Sequence, residues 1–146
     1  MSITRSAPNT IYLGGPRTIV NDMSAKAAIT PGHLVERVNT SGVWQWQKHA
    51  TAGGNVGRSV ATEQSMNNLG VDDDYAADDL VEVSLGAKGS TFWMLIASGQ
   101  NISYGDSLES AGNGTLRILS SGTPLFTALE TTGAVTELTR VRVETE

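Results

Sequence analysis

The amino-acid sequence predicts an all-β fold: a single compact barrel-like or sandwich-like domain of about 8–10 short strands with at most one short helix. Three observations lead to this prediction. The 146 residues include 16 glycines, apolar and polar residues alternate in several short runs, and long helical patterns are scarce. A chain of this length suits one hydrophobic core. The predicted domain covers residues 21–146, and residues 1–20 are predicted to form an extended N-terminal arm.

The arm is predicted because Pro8 and Pro16 interrupt it and its apolar patch has no hairpin partner of its own. Terminal segments become ordered when another element covers them. We therefore expect the apolar side chains of the arm to contact a neighbouring subunit or another partner. These side chains are Ile3, Ile11, Tyr12 and Leu13.

A short strand is predicted at Val43–Gln47, where apolar and polar residues alternate. Because side chains two positions apart share a face of a strand, Trp44 and Trp46 are predicted to lie on one face. Large aromatic residues fill cores or protein interfaces, and paired indoles also stack on sugars. The sequence leaves the core and the interface equally open for both residues, and it makes a carbohydrate-binding module an alternative function.

Three further elements follow from local patterns. Leu80–Leu85 alternates and is followed by a Gly-containing loop and the apolar run Phe92–Ala97, which predicts a β-hairpin. Arg140–Glu144 alternates valines with charged residues and predicts a strand with one solvated face. Ala61–Leu69 is the one segment that suits a short helix or helical turn.

One pattern occurs twice, seventy-three positions apart. In each copy a turn glycine follows an isoleucine by three positions, and a predicted strand then begins with an apolar residue inward and a glutamate outward. We interpret the copies as equivalent β-turn-β units that are architectural rather than catalytic; a chance match of four positions is the alternative. The corresponding residues are Ile29 and Ile102, Gly32 and Gly105, Val35 and Leu108, and Glu36 and Glu109.

Composition excludes several classes of function. With 10 basic and 15 acidic residues the formal net charge is −5, which opposes nucleic-acid binding because phosphate contacts need clustered Lys and Arg. The sequence has no cysteine, so it offers no thiolate nucleophile and no cysteine-bound metal. Neither a signal-peptide pattern nor an apolar run of membrane-spanning length occurs, and we expect a soluble protein without a membrane partner.

The sequence contains no recognisable catalytic constellation. The acidic run Asp72–Glu82 could attract Ca²⁺ or Mg²⁺, but Ala77 and Val83 stand where an EF-hand loop needs Gly and Glu. His33 and His49 lack partners at metal-ligand spacing. We therefore predict no catalytic residues, no cofactor and no metal, and expect that the protein is not an enzyme; a hydrolase with dispersed carboxylates has no positive support.

An ordered series of turn and strand signatures runs through the chain. It resembles the family of small capsid decoration, or cement, proteins of tailed bacteriophages, over roughly Ile29 to Glu144. Where many relatives carry Gly-Asp, this chain has Asp78-Asp79, and residues 1–20 match nothing in the family. The signatures are Pro31–Val35, Ala61 with Glu63, Asp73 with Tyr75 and Ala76, Ala97–Gln100, Gly105–Glu109, Ala128–Glu130 and Arg140–Val143.

The resemblance implies a structural virion protein that binds the outer surface of an assembled phage head and stabilises it. It implies the major capsid protein as partner, a homotrimer, and a location on the capsid exterior after assembly in the bacterial host cytoplasm. Trp44, Trp46 and the arm are then the predicted contact residues. Another virion component, in the tail or connector, is the alternative within the same class.

Overall fold

The computed structural model describes residues 7–146 and confirms an all-β fold. The described residues form thirteen strands, more than the 8–10 expected, because several last only two to four residues. The strands are β1 (Tyr12–Gly14), β2 (Arg17–Val20), β3 (Val35–Thr40), β4 (Val43–Lys48), β5 (Ser59–Ala61), β6 (Val83–Gly86), β7 (Thr91–Ile96), β8 (Asn101–Ile102), β9 (Ser107–Ser110), β10 (Leu116–Ile118), β11 (Phe126–Ala128), β12 (Gly133–Ala134) and β13 (Thr139–Thr145).

Five of these strands close into a barrel in the order β7-β10-β9-β11-β13, with β13 returning to β7. The β7–β13 pairing is antiparallel and runs through six residue pairs, from Thr139 opposite Ile96 to Glu144 opposite Thr91. On its other edge, β7 pairs with β1 at its start and with β10 at its end, where Leu116 lies opposite Ile96. Closure leaves no free edge along the barrel wall formed by these five strands.

The barrel interior is the larger of two hydrophobic clusters. Alternation along β13 sends Val141 and Val143 inward and Arg140 and Arg142 to the opposite face, as predicted for this strand. The fully buried side chains of the cluster include Ile11, Leu34, Val60, Phe92, Met94, Ile96, Ile102, Leu108, Leu116, Leu125 and Phe126.

A second cluster lies between the three-stranded sheet β2-β6-β5 and the two-stranded hairpin β3–β4. The outer edge of β4 is covered by residues 24–26: Trp46 N donates to Ser24 O at 2.9 Å, and Lys26 N donates to Trp46 O at 2.9 Å. This arrangement holds the base of the hairpin against the domain. The buried members of the cluster are Ala25, Ile29, Val35, Trp46, Ala61, Tyr75, Val81 and Val83.

The separate arm was predicted to extend to residue 20, but β1 pairs with β7 and β2 pairs with β6, so both strands belong to the domain. Ile11 is fully buried in the barrel core, its carbonyl accepts from Trp93 N at 2.7 Å, and its N–H donates to Glu63 Oε2 at 2.9 Å. β2 pairs with β6 along its whole length. Local patterns in the sequence do not indicate these contacts, because the partner strands β6 and β7 lie far along the chain. Ile3 lies outside the described residues.

The predicted hairpin of Leu80–Leu85 with Phe92–Ala97 is wrong, although both segments contain strands. A tight turn joins them, with Ser90 N donating to Ala87 O at 2.9 Å. The turn passes the chain from one sheet to another: β6 pairs with β2 and β5, whereas β7 pairs with β1, β10 and β13. Distant strands take the edges that a local hairpin would have used.

The short helical turn expected within Ala61–Leu69 is a single turn of 3₁₀ helix at Ser65–Asn67, which Asn68 ends in a left-handed conformation with φ 57°. Across residues 7–146, no helix is long and apolar enough to cross a membrane.

Candidate binding surface

The most exposed element among the predicted contact residues is the tip of the β3–β4 hairpin. Ser41 and Gly42 connect the strands with φ values of 52° and 86°, and two positive angles are what a two-residue hairpin turn of type I′ requires. Gly42 N donates to Asn39 Oδ1 at 2.9 Å and so closes the turn. Val43 and Trp44 follow at once, and both are more than half exposed. The turn thus presents two large apolar side chains to solvent.

Trp44 and Trp46 have opposite environments, although alternation places them on the same face of β4. Trp44 is 56% exposed and Trp46 is 1% exposed. The hairpin projects beyond the second core, so that only the base of its inner face is covered. Of the two residues proposed as partner contacts, the structure leaves Trp44 accessible and assigns Trp46 to the core.

The base of the hairpin is held by polar contacts. The Arg37 guanidinium lies over the Trp46 ring, 4.8 Å from its centroid. On the other face, Gln45 Nε2 donates to Ser24 Oγ at 3.2 Å and reaches Asp78 Oδ1 at 3.4 Å. Because these contacts join the hairpin to two other segments, the tip is carried on a fixed support, which lowers the entropy lost on binding.

The N-terminal contact residues are used largely within the domain. Ile11 is buried, and the half-buried Tyr12 packs against Phe92 with ring centroids 6.0 Å apart. The Arg17 guanidinium lies over the Tyr12 ring, 3.6 Å from its centroid. Leu13 remains half-buried and lines a surface groove with Leu129. The predicted contact patch at Ile11, Tyr12 and Leu13 is therefore reduced to Leu13 and the edge of Tyr12.

Several exposed apolar residues were missed in the sequence. Met66 is 84% exposed on the 3₁₀ turn, and Leu80 flanks the same shallow cleft. Tyr104 is 71% exposed in the turn before β9. The available signal was a large apolar residue inside a turn-forming sequence, where no strand or helix covers it. Such side chains enlarge the surface available to a partner.

The two copies of the repeated pattern both contain a positive-φ glycine followed by an antiparallel strand pair. Gly32 has φ 101° and precedes β3–β4, and Gly105 has φ 90° and precedes β9–β10. Both glycine predictions are confirmed. The copies differ in their loops, since two residues separate β3 from β4 and five separate β9 from β10.

The expectation that Glu109 points outward is wrong. Its side chain is buried, and its carboxylate accepts from Ser120 N and from Arg117 at 3.2 Å. The Ser120 amide, followed by the Arg117 guanidinium, holds the pKa of Glu109 below its usual range against the opposing effect of burial. Glu36, the equivalent residue, is half-buried and accepts from Ala50 N at 2.7 Å. Loop 119–122 folds over the barrel wall at Glu109, so it covers only the second copy of the repeated pattern.

The carboxylates of the acidic run serve mainly as turn acceptors. Asp73 Oδ2 accepts from Gly70 N at 2.6 Å, Asp79 Oδ2 accepts from Ala76 N at 2.8 Å, and Asp72 pairs with Arg140 at 3.0 Å. No cluster of three or more potential metal ligands occurs among residues 7–146. The run can therefore be explained by local backbone capping.

Both histidines are buried where the hairpin base meets the barrel. His33 Nδ1 accepts from Thr30 N at 3.0 Å, and burial together with nearby Lys48 lowers the pKa of His33 to about 4. His49 Nδ1 lies 2.6 Å from Ser110 Oγ, and burial lowers its pKa as well. Burial thus favours the neutral form of both rings.

These features define an all-β domain that combines a closed five-stranded barrel with a projecting, Trp-tipped hairpin. No family model and no curated protein matches the chain. A solved structure of similar fold is the head fiber gp8.5 N base of bacteriophage phi29, with a TM-score of 0.58 and 14% sequence identity. The match covers 90% of this chain and 93% of that one. At this identity the likeness shows a common fold.

Proposed function

We propose that the protein is a structural virion protein that binds the outer surface of an assembled phage capsid and stabilises it. The observation that carries the proposal is the likeness of nearly the whole fold to the base of a phage head fiber. The sequence resemblance to capsid decoration proteins points to the same class independently, because it rests on turn signatures rather than on the barrel.

The exposed apolar residues support a binding role. Exposed tryptophan and valine side chains at the end of a hairpin contribute little to the stability of an isolated domain. Aromatic residues at the centre of an interface, in contrast, supply much of its binding energy. We propose that Trp44 and Val43 contact the major capsid protein. Many identical contacts repeated over a capsid lattice bind strongly even when each is weak.

We further propose a homotrimer located on the capsid exterior, without nucleic-acid or membrane partners. Light scattering on the purified chain tests the trimer directly: a threefold mass is expected, and a monomer at high concentration would leave assembly to the capsid lattice.

An enzymatic role is not proposed, since the candidate binding surface is apolar or carries paired charges. Carbohydrate binding was an alternative because Trp44 and Trp46 could together stack on a sugar. It is no longer supported, because Trp46 is buried and cannot form a stacking surface with Trp44.

Co-sedimentation tests the proposal. The purified chain is mixed with assembled heads of the phage that encodes it, or with free capsid subunits, and centrifuged. We expect the chain to pellet with heads and to remain in the supernatant with free subunits. Failure to pellet with heads would reject capsid binding, and equal binding to free subunits would reject recognition of the assembled surface.

A further inference from the structure

A cleft of about 310 Å³ opens beside the hairpin, on the face that also carries Trp44. It begins where β3 and residues 56–59 separate beyond an isolated bridge between Leu34 and Val60. Its volume lies at the lower end of the range for ligand pockets. The walls are formed by Val35, Glu36, Arg37, Trp46, Val56, Gly57 and Ser59.

Trp46, which lines one wall, carries a buried donor without an acceptor. Trp46 is 1% exposed, and its indole Nε1–H has no hydrogen-bond partner among residues 7–146. A buried N–H without a partner is destabilising, and each such group in a folded protein calls for an explanation. An acceptor that enters the cleft beside the ring would supply the missing bond.

The outer edge of β3 also carries open backbone groups. In an antiparallel pair, residues directly opposite each other direct their N–H and C=O groups the same way, either toward the partner strand or away from it. The N–H and C=O groups of Trp46 point away from β3 and bond to Ser24 and Lys26. Arg37 lies opposite Trp46, so its own N–H and C=O groups point away from β4. Asn39, two residues on, does the same. Within the described chain, β3 has β4 as its one strand partner.

The charges at the cleft favour an acidic occupant. The Glu36 carboxylate already accepts from Ala50 N and from Gln47 Nε2. Arg37 is paired more loosely, with Asp22 at 3.8 Å, and both of these side chains are about half exposed. Exposed pairs at such distances are weak. Arg37 lines the cleft and its guanidinium lies over the Trp46 ring, so it is the cation that an acidic side chain would meet there.

We propose that this cleft binds an extended, carboxylate-bearing segment of the protein partner. The segment adds as a strand to the outer edge of β3 through the N–H and C=O groups of Arg37 and Asn39. Its acidic side chain enters the cleft, where it accepts from Arg37 and from the Trp46 indole. The inference rests on the proposed function in taking a capsid segment as the natural partner.

The cleft can be blocked without straining the backbone. At Gly57 an added Cβ meets only Ser59 Oγ, at an ordinary contact distance of 3.6 Å, and φ lies outside the left-handed region. Because Gly57 lines the cleft, we expect Gly57→Trp to fill it. Gly70→Trp is a matched control on the surface, because an added Cβ at Gly70 meets only Asp73 Oδ2, at 3.7 Å. We expect Gly57→Trp to lower co-sedimentation with heads at least tenfold and Gly70→Trp to leave it unchanged.

A peptide titration tests the cleft without the capsid. The probe is the synthetic peptide acetyl-Thr-Val-Asp-Val-Thr-amide, added to the ¹⁵N-labelled full chain and followed by NMR. Resonances of the Trp46 indole N–H and of the Arg37 and Asn39 amides should shift in the wild type and in Gly70→Trp, and remain still in Gly57→Trp. A peptide with Lys in place of Asp should bind at least tenfold more weakly, and Arg37→Glu should reverse that preference.

The two experiments separate the two proposals. If wild type and both glycine variants pellet equally with heads, docking through the cleft is rejected while capsid binding stands. If the wild type does not pellet, capsid binding is rejected and the titration alone decides the cleft. An absence of shifts at the highest peptide concentration, or shifts that persist in Gly57→Trp, would overturn the cleft as a peptide site. Circular dichroism on each variant confirms that it is folded.

Discussion

Glu109 and Arg117 lie opposite each other across β9 and β10 and form an ion pair of 3.2 Å. The pair is asymmetric, because the Glu109 side chain is 1% exposed and that of Arg117 is 37% exposed. The carboxylate also receives the N–H of Ser120. A glutamate that the sequence places on a solvated face thus fastens a loop to the barrel.

Glu109→Gln should destabilise the domain by roughly 1–3 kcal/mol, since it replaces charge-assisted hydrogen bonds at a buried site. Glu36→Gln is the matched control and should cost less than about 1 kcal/mol, because its amide oxygen still accepts from the neutral Ala50 N–H. Urea unfolding at pH 7 measures both. The stabilisation from Glu109 is present above the unfolded pKa of about 4.5 and is lost as pH falls through the lower folded pKa. Equal effects at the two positions would contradict the buried ion pair.

His33 should make the domain less stable in mild acid. Its pKa is lowered to about 4 in the folded state from 6.5 in the unfolded chain, so between these values the unfolded chain binds the additional proton. Stability therefore falls as pH decreases from 6.5 to about 4, by an amount on the order of 3 kcal/mol. Asp74 opposes this effect, while Lys48 and Arg140 reinforce it.

The variant His33→Asn keeps an oxygen that can accept from Thr30 N and removes the titration. Urea midpoints of the variant should change less between about pH 7 and about pH 4.5 than those of the wild type. An unchanged pH dependence would show that His33 is not the group responsible, and His49, whose pKa is also lowered, would be tested next.

Gly32 and Gly105 should both resist substitution, but unequally. Both have positive φ, which costs about 1–3 kcal/mol for a residue with a side chain. At Gly32 a Cβ would also lie 3.2 Å from Trp93 O and 3.3 Å from Arg140 Nε, whereas at Gly105 it would meet nothing within 4 Å. Gly32→Ala should therefore lower the melting temperature more than Gly105→Ala does. The reverse order would show that steric contact is not the deciding factor.

Alanine substitutions at Trp46 and Trp44 should affect different properties, the first stability and the second binding to heads. Trp46→Ala should cost about 3–5 kcal/mol, as expected for a large buried aromatic residue. Trp44→Ala should change the free energy of unfolding by less than about 0.5 kcal/mol and weaken co-sedimentation with heads at least tenfold. A folded Trp44→Ala variant that binds heads normally would remove the hairpin tip from the interface.

Ile11 and Ile19 test the corrected N-terminal boundary. Ile11 is fully buried in the barrel, and Ile19, on β2, is half exposed. Ile11→Ala should cost about 2–5 kcal/mol, and Ile19→Ala should have a small effect. Thermal unfolding gives both values. If Ile11→Ala unfolds at the wild-type temperature, the segment behaves as the separate arm that the sequence suggested.

Local features of the sequence were sufficient to predict the fold class and much of its framework. The alternation in Arg140–Glu144 predicted β13, and the Trp44–Trp46 alternation predicted β4. Gly32 and Gly105 were correctly identified as turn positions. These predictions succeed because the two-residue period of a strand and the steric freedom of glycine are properties of a few neighbouring residues.

The tertiary structure alone decided which strands pair and which side chains are covered. The sequence correctly predicted strands at β6 and β7 but wrongly paired them in a hairpin. In the structure, β6 pairs with β2 and β7 pairs with β13. The sequence predicted that Trp44 and Trp46 share a face, but not that one is exposed and the other buried. It also predicted Ile11 in an arm and Glu109 in solvent, whereas both side chains are buried. Burial depends on segments that arrive from far along the chain. Alternation specifies the direction of a side chain, and only the packed fold determines what lies in that direction.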